Sequence, residues 1–298
     1  MTEEVWTTLA LIAWTQDYFR KRGIEQPRLE AEILLGHVLG WKRIDLYTRF
    51  EQRVAPDKLG EYRELVKRRG QHVPSQYLTG SCEFFGMALA VDKRVLIPRP
   101  ETEHLVEQSL RVLKDTVSAT VVDLCTGSGA VAAAVAVNAP SVRVLACDLS
   151  AEALEVARIN VEGQKLSGRV ELHRGDLFGA LPESLRGKVD LVVANPPYVG
   201  EAEFAGLMPE VARHEPRQAL VAGPTGLEVV ERIINEAPGW LSPGGHLILE
   251  VGLGQAGAAV KLASATHAYG PALKIKDYGR IERVIVLTRL EGAPSARP

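Results

Sequence analysis

Between Thr120 and Val251 the chain alternates between apolar runs of strand length and stretches with helical spacing. The runs are Thr120–Leu124, Val142–Cys147, Arg169–His173, Val189–Ala194 and His246–Val251, and helical patterns occupy 130–138, 151–163 and 225–237. A strand buried on both faces reads as a continuous apolar run, and strands joined through helices pair in parallel, since a tight turn only reverses direction. The alternation therefore predicts an α/β fold, a parallel sheet with helices on both faces. Sheets of this kind bind ligands beyond the carboxyl ends of their strands, so the residues that terminate each run are the candidates for function.

The flanks read differently. After Val251 a helix to about His267, a strand near Ala272–Lys276 and a last strand over Glu282–Thr288 are expected, the final pair forming an antiparallel edge. Ahead of the sheet, Trp6, Leu9, Ile12, Ala13 and Phe19 recur at helical spacing from about Val5 to Arg22, where Gly23 stops the helix. Pro27 opens a second helix that ends at Gly40, and a third runs from Pro56 into Lys67-Arg68-Arg69. That basic run reads as a solvated helix end, favoured by the helix dipole, ahead of a contact for a nucleic acid or an acidic partner. Two β-rich runs around Asp92-Lys93, between Cys82 and Ile97, read as a hairpin with its turn at those two residues. The chain thus divides into a helical domain over 1–73, a linking hairpin segment over 74–100 and an α/β domain over 101–290. Residues 291–298, rich in Ala and Pro, are expected to form a disordered tail.

Composition narrows the function classes. With 46% hydrophobic and 24% charged residues the chain is an ordinary globular sequence, and its formal net charge of −2 offers no overall basic field for a long nucleic acid. No apolar run approaches the ~20 residues that span a bilayer. Met1-Thr2-Glu3-Glu4 lacks the basic start of a signal peptide. Cys82, Cys125 and Cys147 form no CxxC and no metal-ligand spacing, so reduced thiols, a cytoplasmic location and no metal are expected.

Four strand ends carry chemistry. The run Val189–Ala194 stops at Asn195-Pro196-Pro197-Tyr198, because successive prolines cannot continue a ladder. Asn195 brings an amide carbonyl, Pro196 a carbonyl with no N–H beside it, and Tyr198 an aromatic face. Together they suit a planar NH2 group, although a capped Pro-Pro turn explains the four residues equally well. The first run passes through Asp123-Leu124-Cys125-Thr126-Gly127-Ser128-Gly129 into a helix, which reads as a nucleotide or nucleoside loop. Asp148 ends the next strand about 20 residues later, where an acid holds ribose hydroxyls; its competing role is a helix N-cap, for which Ser150 also serves. Asp176, before Leu177, is placed to accept from an adenine amino group or to be a polar loop residue. A dinucleotide enzyme would use the same loop and acid, and Ala132 at the third-glycine position leaves that reading open. No hydride-transfer set of His/Arg or Ser/Tyr/Lys is recognisable.

Taken in order, Asp123 to Gly129, Asp148, Asp176-Leu177 and Asn195 to Tyr198 resemble the class I S-adenosylmethionine-dependent methyltransferases that act on amide or amino nitrogens. A finer match lies in Pro74-Ser75-Gln76-Tyr77-Leu78-Thr79-Gly80, Phe85-Gly86 and above all Val95-Leu96-Ile97-Pro98-Arg99-Pro100-Glu101-Thr102-Glu103. With Glu215-Pro216, Leu249-Glu250 and Asp277-Tyr278-Gly279, these are similar to the release factor glutamine methyltransferase (HemK/PrmC) family over nearly the whole chain.

The resemblance implies a Rossmann-like, seven-stranded, mostly parallel sheet with a helical N-terminal domain that recognises the substrate protein. It implies S-adenosyl-L-methionine as cofactor, leaving as S-adenosyl-L-homocysteine, and the Gly-Gly-Gln loop of class I peptide chain release factors as partner. Cofactor contacts then fall to Cys125, Thr126, Gly127, Ser128, Gly129, Asp148, Asp176, Leu177 and Asn195. Substrate contacts fall to Asn195, Pro196, Pro197, Tyr198, Arg99 and Glu101, with Asn195, Pro196 and Tyr198 catalytic. The alternative within the same motif set is an amino-methyltransferase acting on adenine in DNA or RNA; a non-catalytic relative is a third. One position departs from the family pattern: Cys125 stands where glycine is usual, so either the loop keeps a left-handed backbone at about 1 kcal/mol of strain or Cys125 is extended.

Overall fold

The computed structural model describes residues 6–114 and 116–292. The chain forms two compact units, one comprising residues up to Ser81 together with Met208–His214, the other the remainder.

In the first unit the helices are α1 (Thr8–Arg20), α2 (Pro27–Leu39), α3 (Arg43–Thr48), α4 (Pro56–Arg69) and α5 (Ser75–Thr79). The Thr7 hydroxyl accepts from Ala10 N and caps α1, so the helix starts later than expected; Val5 lies outside the described residues. Phe19, Leu34, Leu35, Leu46 and Tyr62 fill the core. The Tyr62 hydroxyl, fully buried, lies 3.2 Å from Ala31 O, to which it can donate, and 2.9 Å from Thr15 Oγ1, from which it can accept. The basic end of α4 is only partly solvated. Arg69 is buried, and its guanidinium pairs with Glu30 at 2.7 Å and with Glu210 at 3.2 Å on a short helix, α9 (Pro209–His214). The reading of Lys67-Arg68-Arg69 as a solvated end thus fails for Arg69, because acids distant in sequence gather around it.

The second unit begins with paired strands β1 (Ser81–Phe84) and β2 (Met87–Ala90). The turn lies at Phe85-Gly86, with φ of 49° and 73°, and not at Asp92-Lys93 as expected. Two successive left-handed residues match the twist of a tight hairpin, and Gly86 adopts its φ without a Cβ penalty. Around Asp92 the chain does turn, with Arg94 N donating to Asp92 Oδ1, but Arg94–Ile97 belongs to none of the described strands.

The main sheet comprises β3 (Ala119–Leu124), β4 (Val142–Asp148), β5 (Val170–Arg174), β6 (Val189–Ala194), β9 (Leu241–Glu250), β10 (Leu273–Lys276) and β11 (Glu282–Thr288). Its order is β10-β11-β9-β6-β3-β4-β5, with only the β11 pairings antiparallel. Two short strands, β7 (Val199–Gly200) and β8 (Val221–Gly223), pair in a separate ribbon. The seven-stranded, mostly parallel, Rossmann-like sheet of the sequence reading is present. Alternate residues feed opposite cores: Val121, Val144, Val193 and Ile248 on one face, Val122, Leu145, Val192 and Leu247 on the other. The first face is covered by α6 (Glu103–Leu113) and α7 (Ala130–Asn138) with Val161 of α8 (Ala151–Gly163), the second by α10 (Glu228–Glu236) and α11 (Ala256–Ala265). This two-sided burial explains why the strands read as unbroken apolar runs. Of the expected tail, Glu291 and Gly292 form a turn and 293–298 lie outside the described residues.

Candidate active site

Register brings the strand ends level. Leu124 pairs with Ala194 on one side and Cys147 on the other, so Cys125, Asn195 and Asp148 are the next residues on three adjacent strands. Asp148 in turn pairs with Arg174, which sets Gly175 and Asp176 beside it. The chain leaves β3 towards β4 on one side and reaches β6 on the other, and at this switch point a cavity of about 340 Å³ opens. Cys125, Thr126, Gly127, Ser128, Asp148, Asp176, Leu177, Asn195 and Pro197 line it. Gly129, Pro196, Tyr198, Arg99 and Glu101 do not contribute to its wall.

The loop after β3 is shaped by Asp123. Its carboxylate, 1% exposed, accepts from Thr126 Oγ1 at 2.6 Å and from Ala132 N at 3.1 Å, in the first turn of α7. Burial pushes this acid up to about 7, against those hydrogen bonds. Cys125, Gly127 and Gly129 all have positive φ, at 57°, 54° and 76°. The left-handed backbone is therefore kept at Cys125, with the strain a non-glycine residue carries there. Its thiol is pushed up by burial and by the nearby Asp148 and Asp123 carboxylates, so it stays protonated and serves as wall. At Gly129 a Cβ would meet Ala157 Cβ of α8 at 3.2 Å, so this glycine allows α7 to pack close to α8.

Asp148 braces two backbones: Oδ2 accepts from Gly127 N and Oδ1 from Ser150 N, each at 2.8 Å. The cap of α8 is Ser150, whose hydroxyl accepts from Ala153 N, so the N-cap role lies there. Each Asp148 oxygen keeps acceptor capacity towards the cavity, and desolvation raises its pKa. Asp176 is half engaged elsewhere, forked by Arg232 of α10 at 3.2 and 2.9 Å. Leu177, buried, has a φ of 48°.

Asn195 donates from Nδ2 to Thr102 Oγ1 at 3.2 Å, while its Oδ1 is buried with no partner. Pro197 lines the cavity, and Tyr198 turns its hydroxyl to Glu250 Oε1 at 3.3 Å. Arg99 pairs at 2.5 Å with Glu215, which is buried. Composition and spacing left Asp123, Thr102, Glu215 and Glu250 without roles. Asp123 and Glu250 are polar residues inside runs read as strand, which is the signal available for them; Thr102, at a helix start, and Glu215 carry none. No cluster of His, Cys, Asp or Glu suited to a metal occurs among the described residues, and no described helix is long and apolar enough to cross a membrane.

The cavity suits a nucleoside with a charged tail. A left-handed loop leaves space at Gly127, where a Cβ would meet nothing within 4 Å, and an acid with free lone pairs stands at one end. An orphaned amide oxygen stands at the other.

Comparison with known proteins agrees. The PrmC N-terminal domain model matches residues 10–80 and the methyltransferase small domain model residues 105–265. The release factor glutamine methyltransferase of Rhodopirellula baltica is 42% identical over 95% of this chain and 97% of its own length. That of Geobacter sulfurreducens is 39% identical over 96% and 98%. The catalytic domain of hMettl16, at 15% identity and a TM-score of 0.56 over 82% of this chain and 87% of that one, shares the fold. A methyltransferase sheet with the Cys125–Gly129 loop, Asp148 and Asn195 at one edge, matched end to end by these relatives, makes this chain a member of the release factor glutamine methyltransferase family.

Proposed function

We propose that this protein transfers the methyl group of S-adenosyl-L-methionine to the side-chain amide nitrogen of the glutamine in the Gly-Gly-Gln motif of class I release factors. The observation that carries this reading is the unpartnered Asn195 Oδ1, a buried acceptor at the cavity wall. A buried acceptor without a partner costs about 1–3 kcal/mol, and a substrate N–H would remove that cost. The cofactor, when bound, supplies an electrophilic methyl on a sulfonium whose leaving group is a neutral thioether.

The residues have distinct tasks in this reading. Asp148 takes the ribose hydroxyls, the loop Cys125–Gly129 approaches the amino-acid end with its backbone, and Asp176 and Leu177 flank the base. Asn195 Oδ1 and the Pro196 carbonyl accept hydrogen bonds from the two amide N–H groups of glutamine, fixing the nitrogen with its face to the methyl group; once the N–CH3 bond has formed, one of those protons leaves to water. An amide nitrogen is a weak nucleophile, so much of the rate comes from holding it in line and drawing its developing positive charge towards fixed acceptors. Tyr198 and the Arg99–Glu101 segment shape the substrate side, and the helical N-terminal unit recognises the release factor. The three free cysteines suit a reducing cytoplasm.

Incubating the protein with labelled S-adenosylmethionine and an unmethylated release factor, with DNA and RNA in parallel, tests the reading. Label on the glutamine of the release factor is expected; label on adenine alone overturns it. Asn195→Ala is expected to lower kcat about 100- to 1,000-fold, as for removal of one preorganised polar group.

A further inference from the structure

Behind Asn195 stands a buried polar chain. The register pairs Ala194 with Leu249, so Glu250 is the next residue on β9 as Asn195 is on β6. Thr102 is 3% exposed and Glu250 2% exposed. The Asn195 Nδ2 donates to Thr102 Oγ1 and the Tyr198 hydroxyl donates to Glu250 Oε1, while Glu250 Oε2 is buried without a partner and the Thr102 hydroxyl favours the ionised form of that carboxyl.

A hydroxyl has one proton and a carboxylate only accepts. With Glu250 ionised, both hydroxyl protons point at it, and Thr102 is left with lone pairs alone for its other neighbour. Only the NH2 end of Asn195 can satisfy those lone pairs. Its carbonyl is therefore turned the other way, and this is the atom found buried without a partner. A flipped Asn195 would set oxygen against oxygen at Thr102 and present an NH2 to a substrate NH2.

We propose that Thr102 and Glu250 are positioning residues that hold the Asn195 amide with its oxygen towards the substrate, so that the site takes a hydrogen-bond donor such as a carboxamide NH2. The proposal rests on the reading of Asn195 as the substrate acceptor. Besides Tyr198 and Thr102, the charged groups facing Glu250 are Arg283 on β11, which favours its ionised form, and Glu101, which opposes it. Burial dominates and lifts the Glu250 carboxyl to about 7. Once protonated, Glu250 becomes a donor, Thr102 is released to donate to Asn195, and the orientation is lost.

The test uses the full chain, an unmethylated class I release factor and S-adenosylmethionine at alkaline pH, with melting temperatures to verify folding. Thr102→Val is expected to lower kcat about 10- to 100-fold, because misorientation of a reacting partner is costly, with cofactor affinity unchanged. Thr102→Ser restores the hydroxyl and is expected to recover turnover. Glu250→Gln is expected to slow turnover and to remove the loss of kcat that the wild type shows as pH falls through about 7. Thr102→Ser as slow as Thr102→Val, or wild-type turnover by folded Thr102→Val, overturns the proposal. Asn195→Ala separates the two readings. If it is fast, the acceptor reading itself falls; if it is slow while Thr102→Val is fast, only the positioning role falls.

Discussion

Asp148 and Gly127 are joined by a hydrogen bond of 2.8 Å, from the glycine N–H to Oδ2, so the acid that ends β4 braces the loop that follows β3. Gly127 lies 21 residues before Asp148, and the contact exists because the two strands pair in parallel register. One side chain therefore shapes the Cys125–Gly129 loop and lines the same cavity as that loop.

Removing that carboxylate takes away the acceptors of two backbone N–H groups and the proposed ribose contact. Asp148→Ala is expected to weaken S-adenosylmethionine binding by about 1.5–3 kcal/mol, the worth of hydrogen bonds to a charged group. Titration calorimetry reads this directly, and an unchanged Kd would reject the role.

Cys125 holds a φ of 57° on the cavity wall. Cys125→Gly relieves the strain but frees the unfolded chain, two effects of about 1 kcal/mol that oppose each other, so stability is expected to stay near wild type. Cys125→Val is expected to cost more than Cys125→Gly in urea unfolding, because a β-branched residue is an outlier at positive φ. Equal stability of the two variants would show that the loop relaxes to an extended backbone.

Asp123 and Glu250 both titrate near 7 in the folded protein, well above their ordinary values of 3.8 and 4.5. Between those limits the native state holds protons that the unfolded chain has released. Stability of the ligand-free protein through these groups is therefore full at low pH and lost as pH rises towards 7, by up to about 1.4 kcal/mol per pH unit for each. Asp123→Asn keeps an acceptor for Thr126 and Ala132 but cannot titrate. Urea unfolding across this range is expected to show a shallower fall for the variant; parallel curves would contradict the assignment.

Glu215 is buried with Arg99 on one oxygen and no partner on the other. Arg99→Ala strands that carboxylate and is expected to destabilise the protein by about 1–3 kcal/mol. The double variant Arg99→Leu/Glu215→Leu should recover much of this, since a buried pair replaced by apolar groups is often near neutral. Thermal unfolding checks both, and a double variant less stable than Arg99→Ala would point to a further partner for Glu215.

The sheet was legible because burial on both faces leaves a mark at every position: Val121 and Val122 feed opposite cores, so neither can be polar. The hairpin was not, since Asp92-Lys93 has the composition of a turn while the two left-handed residues are Phe85 and Gly86. A phenylalanine at positive φ carries no local signal, and Glu103 Oε1, which accepts from Phe85 N at 2.9 Å, lies 18 residues away. Arg69 misled for a similar reason, its acids being Glu30 and Glu210.

The candidate site divides along the same line. Local sequence decided where each strand stops, because prolines cannot continue a ladder and glycines permit the loop, and so it named Asn195, the loop from Cys125 to Gly129 and Asp148. Folding decided what each of these side chains is bonded to. The Asn195 oxygen is left buried without a partner because Thr102, from 93 residues earlier, takes the NH2, and Glu250, which Thr102 influences, follows Leu249 on the strand paired with that of Asn195. Hydrogen-bond direction is a property of a closed network of donors and acceptors, and such a network closes only when strands distant in sequence come into register.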